Sequence, residues 1–165
     1  MRAGTRTELK RRWTPKKHRP CGRIKLGYKY VYLYAAVCPY NGDLIALLLP
    51  YMTLECFDIF AQYFQAQIQQ KYGQVSVAMI NDQASNHQAR VWEGTNITMI
   101  PLPTACPEIN PAERFFEELR KDLSNHVFED IAQVEDLLCT LLHRFWIQPN
   151  LITQLTLFPY INTST

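Results

Sequence analysis

The spacing of apolar positions divides the chain into a polar arm followed by strands and helices. Residues 1–26 are polar and basic, with Pro15 and Pro20 as breakers. Within them Lys10 to Thr14 reads as a short exposed strand. Tyr28 to Val37 is rich in aromatic and β-branched residues, the composition of a strand. Asn41-Gly42 then signals a hairpin turn, and Leu44 to Leu49 reads as the returning strand. Phe57, Phe60, Ala61, Phe64 and Ile68 recur at helical spacing and predict an amphipathic helix from about Leu54 to Tyr72. Thr53 is its N-cap and Gly73 its stop. Val75 to Ile80 is apolar apart from Ser76, which predicts a strand covered on both faces. Ile97 to Leu102 reads the same way, and 83–96 between them holds a loop or one short helix. Asn110-Pro111-Ala112-Glu113 is a helix start, with Asn110 as N-cap, Pro111 first and Glu113 third. Phe115, Phe116, Leu119 and Leu123 form the buried face of that helix. Asp130 opens the last long helix, with Ile131, Val134, Leu137, Leu138, Leu141, Leu142 and Phe145 inward. The units are a basic arm over 1–26, a folded body over 27–145, and a tail over 146–165 to which the pattern assigns no fold. A hairpin followed by alternating strands and helices predicts a mixed α/β sheet.

Length and charge sharpen this picture. The 165 residues suffice for one domain with a core. No apolar run approaches the roughly 20 residues of a membrane-spanning helix, so no membrane is expected. The basic start is not followed by the apolar stretch of a signal peptide. Five widely spaced cysteines form no C-x-x-C pair. They read as reduced thiols, mostly core filler, and the expected compartment is the cytoplasm. The net charge of +2 hides an asymmetry: residues 1–30 carry +10 and the remaining 135 carry −8. A polyanion is the natural partner for such an arm. Trp13 and the aromatics of Tyr28 to Tyr34 could stack on bases. The plainer reading is a solvated arm that keeps the chain soluble, with Trp13, Trp92 and Trp146 as core or surface anchors.

The candidate chemistry lies where predicted strands end. Asp82 follows the strand ending at Ile80. Glu113 opens the helix after the next strand, 31 positions on. In open α/β sheets, sites form beyond the carboxyl ends of strands. Two carboxylates there suit hard cations such as Mg2+ or Mn2+. A pair of such ions can activate a nucleophilic oxygen and stabilise a leaving oxygen, but a third, bridging group is normally needed. No third carboxylate stands on an apolar strand upstream. Structural roles compete with these. Asp82 could close an Asx turn, and Glu113 could complete a capping box with Asn110. His87 could face the site or a phosphate, or be an ordinary loop histidine. Glu108 is a weaker ligand candidate, and Glu117, Glu118 and Asp122 read as a solvated helix face.

Two segments resemble a known family. Asp82-Gln83-Ala84-Ser85-Asn86-His87 is similar to the D-N-A-x-x-H segment of mariner-related insertion-sequence transposases. The run from Leu102 to Glu113 resembles their L-P-x-x-S-P-x-L-N-P-x-E segment, with Cys106 where serine is common. Phe116 stands near a usual tryptophan. Tyr32 to Tyr40 and Arg11 to Pro20 also look like the matching regions, and the resemblance covers roughly 1–145. It implies an α/β fold of the ribonuclease H type, a mixed sheet with flanking helices. It also implies a D, D, E triad holding two divalent ions, Mg2+ or Mn2+, that nicks transposon ends and joins the freed 3′-hydroxyl to target DNA. By motif, Asp82 matches the second aspartate and Glu113 the glutamate. Arg11, Arg12, Lys16, Lys17, Arg19 and His87 become the expected DNA contacts.

The chain departs from the family at the first aspartate, which sits there on a central first strand. Asp43 falls in a hairpin turn, Asp58 on a helix, and Glu8 follows no apolar strand. The helix-turn-helix region of the family has no counterpart either. The expectation is therefore the C-terminal part of a transposase catalytic domain, with its first central strand missing, inactive alone. Its partners would be DNA and either the missing N-terminal segment or a full-length transposase. The alternatives are a non-catalytic nucleic-acid-binding module and a decayed remnant.

Overall fold

Backbone alternation sets up two packing layers around one hairpin. In the computed structural model, which describes all residues except 12, 19–20, 82–88, 105, 160 and 162–165, strand β1 spans Arg2–Gly4. Strand β2 spans Tyr30–Val37 and β3 spans Leu44–Leu49. All three pair antiparallel in the order β1-β2-β3. The β2–β3 turn is the one predicted: Gly42 takes φ 75°, and Cys38 N–H donates to Asp43 O at 2.8 Å. Successive β2 side chains point to opposite faces. Val31 and Leu33 enter one apolar cluster, and Tyr34 enters another with Tyr32 and Ala36 packed against it.

Helix α1, Leu54–Tyr72, covers the second face through Phe57, Phe60 and Phe64. Thr53 caps it by accepting Cys56 N–H, and Gly73 ends it at φ 70°. Strands β4, Val77–Asn81, and β5, Ile97–Pro101, pair parallel as a separate two-stranded sheet. Trp92, at the end of a 3-10 turn over Ala89–Trp92, wedges edge-on against Phe57 and Phe64 with ring centroids at 6.1 and 6.0 Å. Helices α2, Pro111–Leu123, and α3, Ile131–Ile147, cover the first face of the three-stranded sheet. The tail adds α4, Pro149–Thr156, whose Ile152 is fully buried in the same cluster.

Three expectations change. Lys10, Arg11, Trp13 and Thr14 form no strand; the added strand is β1, nearer the start. This strand takes part of the position expected to be empty. Leu33 N–H donates to Met1 O at 2.8 Å and the Met1 amine to Leu33 O at 2.6 Å. Alternation along an antiparallel ladder points the main-chain groups of Ala35 and Val37 to that same edge. Among the described residues, no strand pairs with them there, and β4 pairs only with β5. Finally, β4 and β5 are covered on one face, not both. Val77, Met79, Ile97 and Met99 meet the α1 layer, while Ile80 and Ile100 are 46% and 45% exposed.

Candidate functional site

Parallel pairing brings the ends of β4 and β5 side by side. Asn81 stands opposite Pro101, and Leu102 N–H donates to Asn81 O at 2.8 Å. The chain therefore leaves both strands at the same sheet end. Asp82 follows Asn81 directly in sequence; it and His87 lie outside the described residues, as do Arg12 and Arg19. After β5 the chain makes a 3-10 turn, Pro107–Ile109, with Ile109 N–H on Cys106 O at 3.3 Å. It then enters α2 through Asn110, whose Oδ1 accepts Ala112 N–H at 3.1 Å.

Glu113 stands in the first turn of α2, where the unpaired N–H groups of a helix start favour a carboxylate. The helix is held in place by Phe115, Leu119 and Leu123, all buried. The Glu113 side chain is one-third exposed and accepts from the Arg120 guanidinium at 3.4 Å. The reciprocal half of a capping box, Glu113 reaching back to Asn110 N–H, is not the bond it makes. The carboxylate instead lies along the helix toward Arg120, two turns on.

Asn81 adds an oxygen that sequence reading missed. Its Oδ1 is buried and has no hydrogen-bond partner among the described residues. A buried amide oxygen without a donor calls for water or a cation. The Glu113 carboxylate is an oxygen donor of the kind a hard cation takes, whereas Asn81 Oδ1 lies on the row of Val77 and Met79 that packs against the α1 layer. Two sequence signals point to these residues. Arg120 is seven positions from Glu113, hence on one helix face. Asn81 is a polar residue continuing the covered row of Val77 and Met79. Among the described residues, no three His, Cys, Asp or Glu side chains cluster as a metal site.

The other carboxylates are placed as the plainer readings expected. Glu117 pairs with Arg114 at 3.1 Å, Glu118 with Lys121 at 2.5 Å, and Glu108 is exposed in the 3-10 turn. Asp58 is exposed on α1. Asp43 is committed to the hairpin, bonded to Lys71 Nζ at 2.5 Å, to the Tyr72 hydroxyl and to Asn41. Burial pushes its carboxyl up, but the hydrogen bonds from Lys71 and Tyr72 outweigh it and hold the group below its usual range.

The basic arm leaves the body as a stem. Thr5 N–H bonds Lys29 O at 3.0 Å and Thr7 N–H bonds Lys25 O at 3.1 Å. Lys25 Nζ reaches Glu129 at 2.9 Å, and Asn125 N–H donates to Glu8 O at 2.7 Å. Beyond this anchorage Arg11, Lys16 and Lys17 are exposed. Among the described residues, no helix is long and apolar enough to cross a membrane.

The chain resembles known proteins in sequence and in fold. A family model described as DDE superfamily endonuclease matches residues 1–135. Over 123 residues the chain is 32% identical to a protein of Sinorhizobium fredii (strain NBRC 101917 / NGR234) named Uncharacterized protein y4pE/y4sA, covering 73% of this chain and 88% of that one. Two solved structures share its fold at 15% identity over 93% of the chain. They are the Mos1 transposase paired-end complex with left transposon end, at TM-score 0.69, and the Mos1 mariner paired end complex with Mn, at 0.68. The chain spans about half the length of these transposases, 50% and 51% respectively.

Proposed function

The chain belongs to the DDE superfamily endonucleases, and on that premise we propose that it forms part of a transposase catalytic domain. The domain would cut DNA at transposon ends and transfer the freed strand, with Asp82 and Glu113 as metal ligands. What supports this reading is the shared exit of β4 and β5: Leu102 N–H on Asn81 O joins the two strand ends next to position 82. The α2 start that carries Glu113 follows from the same end. Bound Mg2+ or Mn2+ would supply Lewis-acid stabilisation of the phosphodiester oxygens. The protein's own part is to orient. The core-packed α2 fixes the Glu113 backbone, and Arg120 restrains its carboxylate until a cation competes for it. Arg11, Lys16 and Lys17, with Arg12, Arg19 and His87, would neutralise DNA phosphates.

Two ions call for a third carboxylate. Asp43 is occupied by Lys71 and Tyr72, and Asp58 faces solvent. We infer that the third group is carried by a strand added at the edge of β2 beside Ala35 and Val37. An N-terminal segment of the transposase, or a full-length copy, would supply it. The 165 residues by themselves should then bind Mn2+ weakly and leave DNA uncut. Calorimetric titration of the full chain with Mn2+ should give heat that Glu113→Gln and Asp82→Asn each remove. An unchanged titration in both variants would refute the ligand assignment. Robust Mg2+-dependent nicking by the chain alone, abolished by Asp82→Asn, would instead remove the need for a third carboxylate from elsewhere.

The exposed arm supports a second reading, a nucleic-acid-binding module without catalysis. Its signature is DNA binding that weakens steeply with salt and is the same in the Glu113→Gln variant, with no Mn2+ heat in either protein.

A further inference from the structure

We propose that Trp13 is a stacking platform for an unpaired base of a nucleic-acid strand held along the basic arm, a reading that rests on the nucleic-acid role above. The three tryptophans differ sharply. Trp92 is 4% exposed and wedged between phenylalanines. Trp146 is 46% exposed, and its indole N–H donates to Leu44 O at 2.9 Å. Trp13 is 104% exposed, so its ring faces solvent on all sides. The reading of Trp13 as a core or surface anchor is therefore corrected: the ring covers nothing.

Its surroundings are cationic and held in shape. Thr14 Oγ1 donates to His18 O at 2.9 Å, and His18 N–H donates to Pro15 O at 3.0 Å. The turn so closed projects Lys16 and Lys17 into solvent, with Lys17 in the left-handed region at φ 72°. Such backbone is uncommon for a residue other than glycine. On the other side of Trp13, Arg11 is also exposed. Three residues before the ring, Lys10 N–H donates to Asn125 Oδ1 at 3.2 Å, tying the arm to the body. An exposed indole between phosphate-binding cations, on an anchored stem, has the makings of a single-strand binding site.

The chemistry selects an unpaired base over an intact duplex. An indole stacks on a free π-face, and inside a duplex both faces of each base are already covered by neighbours. The phosphate contacts of Arg11, Lys16 and Lys17 do not discriminate, because both forms present phosphates. Trp13 should thus add affinity for single-stranded, gapped or frayed DNA alone.

The test measures binding of the full chain to a single-stranded oligonucleotide of about 16 nucleotides and to a blunt duplex of the same length. In the Trp13→Ala variant, affinity for the single strand should fall about tenfold while duplex affinity stays within about twofold. Trp13→Tyr should restore most of the loss. Single-strand binding should quench tryptophan emission in the wild type and not in Trp13→Tyr. Equal losses on both probes, or no loss on either, overturn the stacking role while leaving phosphate binding by the arm intact. Absence of binding to both probes by the wild type sinks the stacking role together with the nucleic-acid reading.

Discussion

The three-stranded sheet is covered on both faces, by α1 on one and by α2, α3 and α4 on the other. The β4–β5 pair meets the α1 layer on one face and solvent on the other, where Ile80 and Ile100 are exposed. Parallel strands are ordinarily buried on both faces. The pair that ends beside the candidate site is thus the less supported half of the molecule. Rigid packing is concentrated in the first half, and the candidate ligands leave from the second. Glu113 bridges them: its position follows β5, but its helix is locked into the core of the first half by Phe115 and Leu119.

The largest test of this contrast is Phe115→Ala. Phe115 is fully buried and packs edge-on against Phe145 at 5.1 Å between ring centroids. Its truncation should cost about 3–5 kcal/mol in urea unfolding, and a cost under about 1 kcal/mol would show that the first half does not dominate stability. Met79→Ala, on the half-buried face of β4, should cost about 1–2 kcal/mol. Hydrogen exchange in the same protein should show β4 and β5 amides opening before those of β2 and β3; the reverse order would break the comparison.

A smaller effect concerns the hairpin of the first half, where Asp43 ties the β2–β3 turn to Lys71 and Tyr72 at the end of α1. Its carboxyl titrates below the unfolded value of 3.8. A group depressed in the folded state stabilises above its unfolded pKa, and that stability is lost as pH falls through the folded pKa. Asp43→Asn should therefore lower stability at neutral pH by up to about 1 kcal/mol. It should also flatten the decline below the unfolded pKa, as read from unfolding midpoints across acid pH. The smallest effect is expected for Ile80→Ala on the uncovered face, within about 0.5 kcal/mol. A cost near that of Met79→Ala would mean that this face is covered after all.

Several of these features were legible in the chain. Asn41-Gly42 announced the hairpin because both residues tolerate the backbone of a tight turn. Asn110-Pro111 announced α2 because the cap and the fixed proline φ are local chemistry. The charge asymmetry announced the arm. The exposed face of β4 and β5 was not legible, because a continuous apolar run such as Val77 to Ile80 does not say which side finds a partner. Nor was the choice of Glu113 between Asn110 N–H and Arg120, since both lie within reach along one helix.

The sequence by itself determined the order of elements, their caps and turns, and the two apolar faces of β2, since these follow from periods of two and 3.6 and from backbone geometry. It also carried the family-specific runs around Asp82 and Glu113. Only the tertiary structure decided that Met1 to Gly4 joins the edge of β2 and that α4 closes the first core. The same holds for Asn81 Oδ1, left buried beside the strand ends, and for Trp13, which covers nothing. Each of these is a relation between segments distant along the chain, and no local pattern of side chains encodes which surfaces meet.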